Sequence, residues 1–555
     1  MFFVFTAAAM AQEASQKCQA LTAAKPLPNP TTAITAATLS AAAAQPEHCE
    51  VNGKINERVG VNNQRYAIKF HLRLPTNWNG RFFFEGGGGS NGNLGNALGN
   101  LQGQQRGNAL SLGYAVVSQD SGHDNRENND PQRGGSTTFG FDPQARLDFG
   151  YNSYDQVTQA AKALIRIYYG RPPDRSYFVG CSEGGREGMM MSQRFPDYFD
   201  GILACAPGFK LPKAALYGHT WDAHAFAEVA KSAGIYDRNG QPFLNKAFTD
   251  EDLDLAAQAV LGACDELDGL KDGIIANFPA CSADVVAPKL DAIACKGPKR
   301  SACLSTPQVA ALKKVMSGPR NSKGEMLWAD WAWDRGIGGK TDDNYNQGWR
   351  SWKIGAYDGA ANSAIIVGLG SGAVSSVFTS PPTEVPSAGA GPMAYLLGLD
   401  LDKDAGKIYA ESGLYTKSSW DFMMASSTDL ARYKSHGGKL VIVHGVSDPV
   451  FSINDTIAWW NDVNKANNGA AADFVRLFAV PGMNHCGGGP ATDRFDAFSA
   501  LVNWAEKGSP PEKIVATAGP ASPWPGRTRP LCVYPAQPRY NGSGSIEDAA
   551  NFSCR

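Results

Sequence analysis

A short apolar run at residues 176–179 (SYFV) meets a helical stretch from Gly184 to about Arg194 across Gly180-Cys181-Ser182-Glu183-Gly184. A G-x-S-x-G pentapeptide set between a strand and a helix makes a sharp turn that lifts the serine hydroxyl above a sheet's edge. Context decides its meaning, because the chain holds 61 glycines and chance alone supplies roughly half a match at this length. A second match, Gly88-Gly89-Ser90-Asn91-Gly92, runs into Asn93-Leu94-Gly95 rather than a helix, so Ser90 is set aside. The helix after Ser182 also directs backbone N–H groups toward any anion forming at its start.

The flanking pattern agrees with a sheet of this kind. Residues 66–74 alternate apolar and polar, and 81–85 (RFFFE) form an apolar run ending in four glycines. Further strands are expected at 114–119, 201–205, 439–444 and 474–480, with helices at 154–169 and 492–506. Strands and helices alternating at this spacing predict a mostly parallel sheet flanked by helices. The rhythm breaks between about 209 and 427, where long loops, tryptophans and four cysteines replace it. That segment reads as an insertion over the sheet.

A serine hydroxyl is a weak nucleophile without a base. In folds with this elbow the partners follow in the order serine, acid, histidine. Among eight histidines, His485 alone follows the last expected strand, in Pro481-Gly482-Met483-Asn484-His485-Cys486-Gly487. The strand before it ends at His444 and leads into Gly445-Val446-Ser447-Asp448, which makes Asp448 the expected orienting acid. His444 is expected to line a pocket rather than act as base. The glycine run 86–89 and the amide of Glu183 are the natural sources of an oxyanion hole.

Net charge is −2, so nothing marks the chain for nucleic acid or an anionic membrane. No later run approaches the ~18 apolar residues of a membrane span. Residues 1–11 (MFFVFTAAAMA) end in the small-x-small pattern of an export signal, though without a basic start. Eleven cysteines, none in a C-x-x-C pair, favour disulfides over zinc. The chain is therefore expected to be secreted or periplasmic, and a monomer.

The Cys181-Ser182, Asp448 and His485-Cys486 set resembles the tannase and feruloyl esterase family. So do GYNSYDQVTQA (150–160), GCSEGGREGMM (180–190), YNQGWRSW (345–352) and PGMNHC (481–486), and the likeness covers nearly the whole mature chain. The resemblance implies an α/β-hydrolase domain over 12–208 and 428–555, with a lid domain at 209–427. It implies Ser182, Asp448 and His485 as catalytic residues, with Gly89 and Glu183 at the oxyanion hole. It also implies disulfides 18–49, 181–486, 264–281, 295–303 and 532–554, between cysteines such as Cys18, Cys49, Cys264, Cys281, Cys295, Cys303, Cys532 and Cys554, leaving Cys205 free.

Asp265, Asp268 and Asp272, with turn glycines between, can converge on one hard cation or simply form an acidic surface turn. The resemblance implies a structural Ca²⁺ here, with the carbonyls of Leu270 and Ile274 completing the site. It implies a pocket lined by Trp352, Phe451, Leu211 and His444. Its terephthalate-monoester branch clamps a substrate carboxylate with a lid arginine. An ungapped reading puts Ile366 at that position and Ser371 beside the next pocket position, near Leu369 or Gly370. An apolar side chain cannot replace a bidentate clamp, and Lys353 is a substitute cation to consider. The expected activity is hydrolysis of small aromatic-acid esters, whether terephthalate-monoester, feruloyl or galloyl. An acyltransferase or thioesterase, and a non-catalytic calcium-dependent binding module, are the alternatives.

Overall fold

The computed structural model describes residues 7–41, 44–103, 107–338 and 348–555, without the side chains of 7–11. Most of the expected export signal, and residues 345–347 of the YNQGWRSW segment, lie outside the described residues.

Nine strands form one sheet in the order β1-β2-β3-β5-β4-β6-β7-β8-β9. They are β1 (Ala33–Ser40), β2 (His48–Val59), β3 (Arg65–Pro75), β4 (Arg81–Glu85), β5 (Ala115–Gln119), β6 (Arg175–Cys181), β7 (Gly201–Cys205), β8 (Lys439–Gly445) and β9 (Val475–Val480). The pairings from β1 through β3 to β5 are antiparallel. From β5 through β4, β6, β7 and β8 to β9 every pairing is parallel. The sheet is thus mixed, with its parallel part carrying the serine turn.

The parallel strands read as unbroken apolar runs because both of their faces are covered. Side-chain alternation sorts them into two cores. Phe82, Phe84, Phe178, Ile202, Leu440 and Ile442 pack with Tyr154, Met189 and Trp459 from the helices Ser153–Tyr169, Glu183–Arg194 and Ile453–Ala466. Phe83, Tyr177, Leu203, Val441 and Phe478 pack with Phe498, Leu501 and Trp504 of helix Ala497–Lys507. This last helix starts later than the expected 492. Asp496 accepts from the Ser499 amide at 2.8 Å and caps it there.

Between β7 and β8 the chain leaves the sheet and builds a largely helical mass, including Thr220–Ser232, Asp250–Cys264, Thr306–Met316 and Ile365–Gly372. Its core is continuous with Phe139, Phe149, Val450 and Phe451 from outside the insertion. The disulfides Cys18–Cys49, Cys181–Cys486, Cys264–Cys281, Cys295–Cys303 and Cys532–Cys554 are formed, and Cys205 is a buried free thiol pushed up to about 12 by desolvation.

Candidate active site

The turn after β6 is built from backbone packed on backbone. A Cβ on Gly180 would fall 2.6 Å from the Gly184 carbonyl, and one on Gly184 would fall 2.6 Å from the Gly87 carbonyl. A Cβ on Gly185 would reach 2.4 Å from the Cys205 carbonyl. These distances explain the glycines around Ser182, since no side chain fits between the turn, β7 and the 86–89 loop. Ser182 itself adopts φ 63° and ψ −121°, a conformation that non-glycine residues hold only when the surroundings impose it. Its amide donates to the Cys205 carbonyl at 3.0 Å, and its carbonyl accepts from Arg186 at 3.0 Å.

A buried polar cluster supports the same turn. Arg186 Nε donates to Glu183 at 2.9 Å, and the guanidinium also donates to the Gly150 carbonyl at 3.0 Å. Glu187 accepts from the Gly87 amide at 3.0 Å and from Asn91 at 2.7 Å. Asn91 in turn accepts from the Gly88 amide at 2.8 Å. Burial, with the nearby Glu183 charge, pushes the Glu187 carboxyl up to about 8. Gly89 follows at φ 61° with open space where its side chain would be. The glycine loop is therefore held from below and open above.

Asp448 sits just past β8, fully enclosed. One carboxylate oxygen accepts from the Val450 and Phe451 amides at 2.7 and 3.1 Å. The other lies 2.8 Å from His485 Nδ1 and 3.4 Å from His444 Nε2. Burial alone would favour the neutral acid, but the two imidazoles hold this carboxyl well below its usual range. The loop carrying His485 is tied to the serine turn by the Cys181–Cys486 bridge, which joins residues 305 apart in sequence. The inserted segment braces both loops. Asp334 accepts from the Gly482 amide at 2.7 Å, and Trp349 donates to the Ser447 carbonyl at 3.0 Å.

Ser182, Glu183 and Gly89 open into one cleft with Leu211, Trp352 and Phe451. The Trp352 and Phe451 rings stand edge-on to the His485 ring, with centroids at 5.5 and 5.6 Å. Other expected pocket residues lie elsewhere. His444 is fully buried behind Asp448, bonded to Thr456 at 2.9 Å and the Phe451 carbonyl at 3.0 Å. Ile366 is buried in the core of the inserted segment, and Ser371 points back at the Gly368 carbonyl at 3.5 Å. On that helix Leu369 and Gly370, near which the second pocket position was expected, do reach the cleft. Lys353 is not a spare cation, because it is fully buried in an ion pair with Asp222. His219, which carries no sequence motif, lines the cleft.

The acidic loop folds largely on its own backbone. Asp265 accepts from the Gly273 amide at 3.0 Å, and Asp268 from the amides of Leu270 and Ala276 at 3.0 and 2.9 Å. Asp272 pairs with Arg529. Burial, then the neighbouring carboxylates, push Asp268 up to about 6. Among the described residues no three His, Cys, Asp or Glu side chains are gathered closely enough to hold a metal ion.

Comparison with known proteins extends this geometry. The family model described as "Tannase and feruloyl esterase" matches residues 49–555. A mono(2-hydroxyethyl) terephthalate hydrolase from Piscinibacter sakaiensis is 49% identical over 93% of this chain and 86% of its own. A probable feruloyl esterase from Arthroderma benhamiae is 30% identical over 91% of this chain and 85% of its own. The crystal structure of feruloyl esterase B from Aspergillus oryzae superposes with a TM-score of 0.73 at 22% identity, covering 98% of this chain and 100% of that one. It shares the α/β-hydrolase fold. No described helix is long and apolar enough to cross a membrane.

Proposed function

Because this chain belongs to the tannase and feruloyl esterase family, and so is a carboxylic ester hydrolase, we propose that it cleaves small esters of aromatic acids through an acyl-serine intermediate. Ser182 Oγ attacks the ester carbonyl while His485 takes its proton, and the amides of Gly89 and Glu183 receive the oxyanion. His485 then protonates the departing alcohol. Water, deprotonated by the same imidazole, attacks the acyl-serine, and the aromatic acid leaves with Ser182 restored. Asp448 keeps the proton of His485 on Nδ1, so that Nε2 is the basic nitrogen.

The observation that carries this reading is the 2.8 Å contact between Asp448 and His485 Nδ1, on a loop covalently tied to the residue before Ser182. The expected result is covalent labelling by a fluorophosphonate probe, lost in Ser182→Ala with the fold intact by circular dichroism. Labelling that persists in Ser182→Ala would overturn it.

A second observation narrows the substrate. Among the described residues no lysine or arginine lines the cleft. A carboxylate buried there would lack a cationic partner among the described residues, which is costly. We therefore expect neutral aromatic esters to be turned over better than the terephthalate monoester, a preference that a side-by-side assay of dimethyl terephthalate and its monoester tests. A clear preference for the monoester would reverse this reading.

A structural Ca²⁺ on the 265–274 loop is part of the same proposal. Three carboxylates on one short turn favour it. A fall in melting temperature with a chelator, reversed by Ca²⁺ and not by Mg²⁺, is the expected result. Export and a monomeric state complete the proposal.

A further inference from the structure

His219 closes the turn Ala214–His219 and lies on the wall of the cleft that holds Ser182. Its side chain is almost wholly enclosed, at 7% exposure. Neither ring nitrogen meets a hydrogen-bond partner among the described residues, and both are shut off from solvent. Buried imidazole nitrogens without partners are uncommon, because each forfeits its bond to water. Gly370 faces the ring, and a Cβ there would stand 2.9 Å from Nδ1. A side chain at position 370 would press on that nitrogen, so glycine there keeps it uncrowded. The remaining neighbours on this wall, Leu211, Ala215, Leu369 and Phe378, are apolar and suited to an aromatic ring.

The ring's charge state follows from its surroundings. Burial, and then the Lys353 charge, lower the His219 pKa to about 3, so the ring is neutral at ordinary pH. Lys353 is itself neutralised by Asp222. A neutral imidazole offers one donor and one acceptor, the complement of a hydroxyl group. A carboxylate can only accept, and would bring an uncompensated charge into an apolar enclosure.

We propose that His219 is a specificity-determining residue that hydrogen-bonds a hydroxyl group on the acyl part of the ester. The acyl part is indicated because these nitrogens lie at an enclosed wall, whereas the alcohol must leave toward solvent. The inference rests on the esterase reading with Ser182 as nucleophile.

The test compares methyl 4-hydroxycinnamate with methyl cinnamate, and methyl 4-hydroxybenzoate with methyl benzoate. Wild type, His219→Phe and His219→Gln are assayed on each pair. Wild type is expected to prefer one or both hydroxylated esters by ten-fold or more in kcat/KM. His219→Phe should erase that preference by slowing only the hydroxylated ester, and His219→Gln should restore part of it. Equal losses on both members of a pair, or no preference in wild type, would overturn the proposal. Should the variants fail to fold, affinity of wild type for 4-hydroxycinnamate over cinnamate supports it, and equal affinity overturns it. Absence of fluorophosphonate labelling in wild type would instead remove the esterase reading itself, and this inference with it.

Discussion

The cleft has two walls built on different terms. On the sheet side, Ser182, Asp448 and the 86–89 loop are fixed by close-packed backbone, buried ion pairs and a disulfide. On the side of the inserted segment the lining is apolar, and its polar atoms, the two nitrogens of His219 and the indole nitrogen of Trp352, lack partners among the described residues. The first wall leaves little freedom for the groups that would move protons. The second keeps polar capacity in reserve for a ligand. Precise placement is needed where a proton must travel between two atoms, and unfilled capacity is useful where a substrate must be told from its analogues.

That contrast can be broken in several places. Ser182→Ala should have the largest effect, a loss of kcat on the order of 10⁴-fold or more, measured on a chromogenic aryl ester with the melting temperature unchanged within a few degrees. Replacing Cys181 and Cys486 together by serine should cost about 2–5 kcal/mol in denaturant unfolding and lower kcat more than it changes KM. Removing Cys295–Cys303, whose residues are only 8 apart and which lies in the inserted segment, should cost less stability and leave kcat unchanged. Equal losses from the two bridges would erase the distinction between the walls. On the other side, Trp352→Ala should raise KM roughly tenfold with a smaller change in kcat, the mark of binding that is uniform across the reaction.

The smallest expected effect is a pH dependence at Glu187. Its folded-state carboxyl is raised from 4.5 to about 8, mainly by burial. The stability this contributes relative to Glu187→Gln is fully present below about pH 4.5 and is lost as the pH rises through about 8. The melting temperature of wild type minus that of Glu187→Gln should therefore fall by a few degrees between pH 5 and pH 9. A flat difference across that window would show that Asn91 and Gly87 hold Glu187 ionised throughout.

The two walls also differ in how far they could be read from the sequence. Strands such as 81–85 and 201–205 are continuous apolar runs next to turn residues, and local pattern suffices for them. The antiparallel strands β1 and β2 have no clear sequence signal, because Ala33–Ser40, at the sheet's edge, and His48–Val59 beside it mix small, polar and charged residues. Asp448 and His485 could be picked out because strand ends and chain order constrain them. His219 could not, since a lone histidine on a helical turn carries no local sign of which way it faces. Counting along the chain brought Leu369 or Gly370 near the pocket, where both line the cleft, but it also placed Ile366 and Ser371 there, and the orientation of Ile365–Gly372 turns those two away. Lys353 reads as a free cation only until Asp222, far away in sequence, comes beside it.

The backbone contacts at Gly180, Gly184 and Gly185 reach beyond the present chemistry. Where main chain touches main chain, any of the other nineteen amino acids would force the turn open, so descendants of this sequence have almost no mutational room there. At Gly370 an added Cβ would meet only a side chain, the His219 ring, so change there can be matched by change at His219. New ester preferences are accordingly expected to arise by drift and selection in the inserted segment, while the machinery beneath it is inherited unchanged.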